Sequence, residues 1–281
     1  MPPSVVVWAP GHISGYFRRI TGETFRDTGS VGAGIVTSQG VTATVADAVE
    51  TEIFVLSDGV ENTGSPPIEY ALERLDLTAS ITTESKLPIG SGFGLSAASL
   101  LATLTGLNEL FALSMSCHEI ALLAHEIEVK YSHGLGDVAA EVGGGLVCRT
   151  RPGIDTEVHR MVGLDDTIWC LCAGPIPTDG ILGSPGVMNQ IAGAYPGRCP
   201  VDLPDFLSLS RRFAEASGLI TPVVGEVLQA CDDASVPASM TMLGEGVFAI
   251  GDDAEAVLSG FGKVYPTGIA EAGPAVLEVR E

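Results

Sequence analysis

At 281 residues and a formal net charge of −21, the chain is too acidic for nucleic acid or an anionic membrane surface to be its partner. Hydrophobic residues make up 46% and charged residues 17%, which excludes disorder and leaves material for two modest domains or one large one. Only three lysines occur (Lys86, Lys130, Lys263), so an anionic substrate must be met by a few placed cations.

The N-terminus has no basic n-region and no long apolar core, so no signal peptide is expected. Nor does any stretch approach the roughly eighteen apolar residues of a membrane span. The six cysteines (117, 148, 170, 172, 199, 231) form no C-x-x-C pair and lie in apolar segments. They are expected as buried free thiols of a cytoplasmic protein.

In chain order, Val5 to Ala9 reads as a buried strand ended by Pro10-Gly11, followed by His12-Ile13-Ser14-Gly15-Tyr16-Phe17. Arg26 to Gly34 is a loop of small residues. Strands are expected at Gly34–Val36, Val41–Val49 and Ile53–Leu56, where β-branched residues cluster. After Pro66-Pro67 a short helix should occupy Glu69–Leu75, and Thr78–Thr83 should be the strand that feeds the next loop.

That loop is Pro88-Ile89-Gly90-Ser91-Gly92-Phe93-Gly94-Leu95-Ser96-Ala97-Ala98, running straight into an apolar helix that ends near Leu113. Glycines at alternate positions remove the Cβ atoms, so backbone N–H groups can approach a ligand closely. The helix N-terminus behind them carries unpaired donors and partial positive charge, which suits a phosphate. A P-loop needs Lys immediately before the Ser that opens the helix, and Leu95 stands there. A dinucleotide fingerprint needs its third glycine at the same place, so it fails on the same residue.

Ser116-Cys117-His118-Glu119 has capping-box spacing and starts a helix to about Tyr131. The turn Ser132-His133-Gly134-Leu135-Gly136 leads to Asp137, Gly143-Gly144-Gly145 breaks the chain, and Leu146–Thr150 is a strand. Beyond Pro152, a strand at Ile168–Cys172 precedes a Pro/Gly-rich loop from Gly174 to Gly186. Helices follow at Pro204–Ala216 and Pro222–Ala230, the second capped by Thr221. Strands at Ser239–Ile250, Lys263–Tyr265 and Val276–Val279, with a short helix at Ala254–Ser259, complete an α+β chain that divides near residue 150.

The string P-x-x-x-x-x-G-L-S-A-A over 88–98 resembles the ATP-binding signature of the GHMP kinases. Ala9-Pro10-Gly11-His12-Ile13-Ser14-Gly15 resembles their first motif, and Met240 to Phe248 stands in the place of the third, though it lacks the usual glycine string. Within the superfamily, the combination of 9–17, Thr28 to Gly34, 88–94, Gly134 to Val138 and Met240 to Gly244 is similar to the archaeal pantoate kinase branch. The resemblance implies two lobes: residues 1–150 with an uncommon left-handed βαβ crossover, and residues 151–281 with a ferredoxin-like fold. It implies ATP and Mg2+ as cofactors, pantoate as the small-molecule substrate, and a homodimer. Homoserine or mevalonate phosphorylation, and a non-catalytic binding protein on the same fold, are the alternatives.

The resemblance also assigns residues. Pro88, Gly90, Ser91, Gly92, Phe93, Gly94, Leu95, Ser96, Ala97 and Ala98 form the nucleotide site, with Ser96 offering its hydroxyl to Mg2+. A carboxylate should complete the metal site. Glu126 and Glu128 point about 200° apart on their helix, so only one can face it, and the core stripe between them does not decide. The family spacing, nine residues ahead of the Asp, favours Glu128. Asp137 is the catalytic base that accepts the substrate hydroxyl proton. An acceptor carboxylate calls for a guanidinium, and Arg149 suits it, with Ser30 adding a donor and Arg26 and His12 as further candidates. His118, His125, His133 and His159 lack metal-ligand spacing and are expected to be structural or exposed.

Overall fold

The computed structural model describes residues 2–132, 134–174, 185–242 and 244–281. Two sheets carry the chain. The first has eight strands in the order β12-β1-β2-β5-β3-β4, with β6 and β7 branching from β2. Its long members are β1 (Ser4–Ile20) and β2 (Gly29–Asp47), a pair that runs through almost the whole lobe. The Pro10-Gly11 expected to end the first strand does not end it: the ladder shifts register there and again between Ser14 and Tyr16. These bulges absorb the missing proline donor and let the strand bend on. Likewise the small residues of 29–34 are strand rather than loop, because Ser30, Val31 and Ala33 face a buried interior.

The helix α1 (Pro66–Leu75) takes both prolines into its first turn, where their missing N–H groups cost nothing. It links β3 (Glu52–Ser57) and β4 (Val60–Thr63) to β5 (Ala79–Ser85), and β3 and β5 lie parallel. The helix α2 (Leu95–Leu110) is apolar all round and correspondingly buried, with ten of its residues inside. Its small residues let it lie close to the sheet: a Cβ on Gly106 would stand 2.7 Å from Val45 Cγ2. The next helix, α3 (Cys117–Tyr131), opens with the full capping box of Ser116 and Glu119. Then come the short α4 (Asp137–Glu141), β6 (Leu146–Arg149) and β7 (Val158–Met161).

The second sheet is antiparallel in the order β11-β8-β10-β9, built from β8 (Ile168–Gly174), β9 (Ala238–Met240), β10 (Glu245–Ala249) and β11 (Val264–Thr267). With α5 (Pro185–Ala194), α6 (Leu203–Ser217) and α7 (Pro222–Asp233) between β8 and β9, and α8 (Ala254–Ser259) between β10 and β11, it is ferredoxin-like. The helix at 185–194 and the strand at 158–161 are absent from the sequence expectation. The expected loop at 174–186 falls mostly on 175–184, outside the described residues.

The last strand, β12 (Ala275–Arg280), returns to pair with β1 at the edge of the first sheet. Tyr16 on β1 packs among Tyr195, Phe206 and Phe213 and donates to Arg198 O at 2.9 Å, so one hydrophobic core spans both sheets. Cys148 and Cys199 form a disulfide with Cα atoms 5.7 Å apart. This corrects the expectation of free thiols for those two; Cys117, Cys170, Cys172 and Cys231 remain free. Fifty-one positions separate the partners, so only folding brings them within bridging distance. Among the described residues no helix is long and apolar enough to cross a membrane.

Candidate active site

A cavity of about 500 Å3 lies between the glycine loop, the front of β1 and the turn before α4. The loop supplies Ile89, Gly90, Gly92, Phe93, Gly94, Leu95 and Ser96 to its wall. Gly94 caps α2 in the left-handed conformation (φ 68°), and a Cβ there would stand 2.4 Å from Glu141 Oε1 and 2.9 Å from His12 N. Only glycine fits. The loop is held from behind: His12 N–H donates to Phe93 O at 2.9 Å, and the buried Thr241 hydroxyl donates to Ser91 O at 2.9 Å. The segment around Met242 thus lies directly under the loop, although Leu243 is outside the described residues. Of the other expected nucleotide residues, Ser91, Ala97 and Ala98 are buried behind the wall and Pro88 lies beside it.

Asp137, the first residue of α4, faces the same cavity. Its Oδ1 receives a hydrogen bond of 2.6 Å from His12 Nδ1. Burial pushes the His12 pKa below its ordinary value, partly opposed by Asp137, so the ring is neutral and Nδ1 carries the proton. A neutral donor fixes the carboxylate without cancelling its charge. The chain therefore sets up a His–Asp pair across strands and helix, 125 positions apart in sequence.

Behind Asp137 lies a buried cluster of ionisable side chains, Glu128, Glu141 and Arg149, with Glu128 and Glu141 fully inaccessible and Arg149 at 1% exposure. Glu141 has no hydrogen-bond partner among the described residues, and Glu128 meets only the backbone N–H of Val138. Burial first, then the negative charge of Asp137, raises both carboxyls well above the ordinary range. The two glutamates of α3 have different surroundings: Glu126 is turned to Arg74 at 3.6 Å on the outside, and Glu128 is turned inward. Ser96 on the wall and the open lone pairs of Glu128 are hard oxygen donors that suit a divalent cation. No group of three His, Cys, Asp or Glu among the described residues is set to hold a metal ion.

Arg149 reaches Ser30 Oγ at 3.5 Å with Nη2, while its Nε and Nη1 have no partner among the described residues. Ser30 lines the cavity and Arg149 stands behind it. Arg26 lies elsewhere, half exposed and paired with Asp155 at 2.6 Å. His125 is structural as expected: its Nε2 faces the carbonyls of Phe25 (3.1 Å) and Thr28 (2.9 Å), so it must donate, and it anchors the loop that presents Ser30. His118 is exposed beside Asp155, and His133 is outside the described residues.

Three residues that sequence reasoning passed over belong to the site. Ser14 and Arg19 line the cavity from β1. Arg160 on β7 donates to Ala140 O (2.8 Å), Gly144 O (3.0 Å) and Ala139 O (2.9 Å), satisfying the carbonyl end of α4 and fixing the helix that carries Asp137. A Cβ on Gly143 would stand 2.8 Å from its Cζ, which explains why the break after α4 contains glycine.

Residues 67–145 match the model of the GHMP kinases N terminal domain. The chain is 44% identical over 97% of its length to a pantoate kinase of Methanospirillum hungatei, covering 96% of that protein. It is 32% identical to a pantoate kinase of Methanocaldococcus jannaschii, over 87% of this chain and 92% of that one. Among solved structures, one described as a phosphotransferase related to the CoA biosynthesis pathway superposes with a TM-score of 0.83 at 26% identity, over 97% of this chain and 98% of that one. The chain thus matches pantoate kinases over nearly its whole length and belongs to the GHMP kinase superfamily, in its pantoate kinase branch.

Proposed function

We infer that this protein transfers the γ-phosphoryl group of ATP to the 4-hydroxyl of (R)-pantoate, giving 4-phosphopantoate and ADP in coenzyme A biosynthesis. The observation that carries the reading is the end-to-end likeness to pantoate kinases, with Asp137 and the glycine loop on one cavity. The N–H groups of Gly90 to Ser96 and the positive end of α2 would hold the triphosphate and take the part of the absent lysine. Asp137 takes the proton from the 4-hydroxyl as that oxygen forms its bond to phosphorus and the bond to the ADP oxygen breaks. His12 holds the carboxylate in the orientation needed to receive it. Ser96 and Glu128 would hold Mg2+, whose charge offsets that of the phosphates. Arg149, acting with Ser30, makes the far end of the cavity attractive to the acceptor carboxylate.

The same reading places the enzyme in the cytoplasm as a homodimer, which sedimentation of the purified chain would check. A coupled assay of ADP release with pantoate, mevalonate, homoserine and shikimate tests the acceptor. Pantoate should be preferred by a wide margin in kcat/KM, and Asp137→Asn should lower that turnover by roughly 100- to 10,000-fold while ATP still binds. Release of ADP at equal rates with and without pantoate would refute it.

A further inference from the structure

Among the described residues the cavity wall contains one anionic side chain, Asp137, and one cationic side chain, Arg19. Arg149 is behind the wall, so Arg19 is the guanidinium that a bound molecule meets first. Its place on β1 says which end of the cavity it serves. His12 ties the near part of β1 to the glycine loop through Phe93 O, and the strand runs away from that contact toward Arg19. There the ladder sets Arg19 directly opposite Ser30. Side chains directly opposite on one face of an antiparallel pair stand about 5 Å apart at Cβ, close enough to grip one small group together. Ser30 in turn is backed by Arg149 at 3.5 Å. Arg19 Nε is buried and lacks a hydrogen-bond partner among the described residues, so the side chain is partly desolvated, and no carboxylate among those residues pairs with it. In a protein of net charge −21, a guanidinium lining this cavity with no acidic partner among the described residues stands out.

We propose that Arg19 binds the carboxylate of the acceptor directly and, with Ser30, sets the enzyme's preference for a hydroxy acid over a neutral alcohol. The proposal rests on the acceptor reading above and adds the residue that selects for it. A guanidinium can take both carboxylate oxygens in a two-pronged contact while the Ser30 hydroxyl donates from the facing strand. Arg149 then contributes its field from below and holds Ser30 in place. The negative group at this end and the hydroxyl at Asp137 fix both ends of a short acceptor.

The test is steady-state kinetics of the full chain and of Arg19→Gln and Arg19→Lys, with pantoate and with its neutral amide as acceptors, and with ATP varied separately. Arg19→Gln should raise KM for pantoate roughly 10- to 100-fold, the loss of a charge-assisted contact, with KM for ATP within about twofold. Arg19→Lys should recover part of the loss, since it restores charge without the fork. Toward the neutral amide, the native enzyme and Arg19→Gln should perform alike. A pantoate KM unchanged in Arg19→Gln would overturn the proposal, as would an equal rise in KM for ATP, which would place Arg19 on the triphosphate. If the native enzyme turns over pantoate and Arg19→Gln does too with unchanged KM, only the role of Arg19 falls. If the native enzyme does not use pantoate at all, the acceptor reading falls and this proposal with it.

Discussion

Replacing His12 separates orientation of the base from its chemistry. The 2.6 Å bond from Nδ1 to Asp137 Oδ1 is a part-buried, charge-assisted contact, a class worth about 1.5–3 kcal/mol. Lost from the transition state alone, that corresponds to roughly 10- to 150-fold in kcat. His12→Leu removes the donor and should show this loss. His12→Asn puts an amide N–H near the place of Nδ1 and should stay within about tenfold of the native rate. Because His12 acts through Asp137, the double variant His12→Leu/Asp137→Asn should be hardly slower than Asp137→Asn alone. Single-turnover rates at saturating ATP and acceptor, with thermal melts to show that each variant folds, give the comparison. Losses that multiply in the double variant would refute the orienting role, as would a His12→Leu rate within threefold of native.

The buried Glu141 makes stability depend on pH. Burial holds its carboxyl well above the ordinary value of 4.5, so the folded chain keeps the proton to a higher pH than the unfolded chain does. That contribution is whole below the ordinary value and is lost as pH rises toward the folded one. Glu141→Gln should therefore melt higher than native at pH 8.5 and gain little or nothing at pH 5; an equal shift at both would contradict the assignment. Closing 51 positions with the Cys148–Cys199 bridge is worth up to about 4 kcal/mol by the loop-entropy argument. Adding a strong reductant, or Cys199→Ser, should lower Tm by several degrees, and an unchanged melt in both would remove the bridge from the account.

What was legible in the sequence was local. The capping box at Ser116 and Glu119, Thr221 with Pro222, and the glycines ahead of Leu95 each act over three or four positions, and each is found where expected. The family spacing of nine residues favoured Glu128, which is buried beside the site, while Glu126 turns to Arg74. What could not be read was set by long-range pairing. Pro10-Gly11 signals a strand end, yet the register shift against β2 carries β1 through it to Ile20. Arg19 sits at the end of that unforeseen extension, so nothing local marked it as a site residue. Cys148 and Cys199, and the three carbonyls gathered by Arg160, likewise become neighbours only through the fold.

The proposed reaction transfers a phosphoryl group from ATP to the 4-hydroxyl of pantoate. Following the reaction by phosphorus NMR with proton coupling tests it most directly, because the 4-hydroxyl is on a CH2 carbon and the 2-hydroxyl on a CH carbon. A phosphomonoester triplet growing with ADP is the result this structure calls for. A doublet would move the reaction to the other hydroxyl, and inorganic phosphate as the sole new signal would contradict the kinase reading.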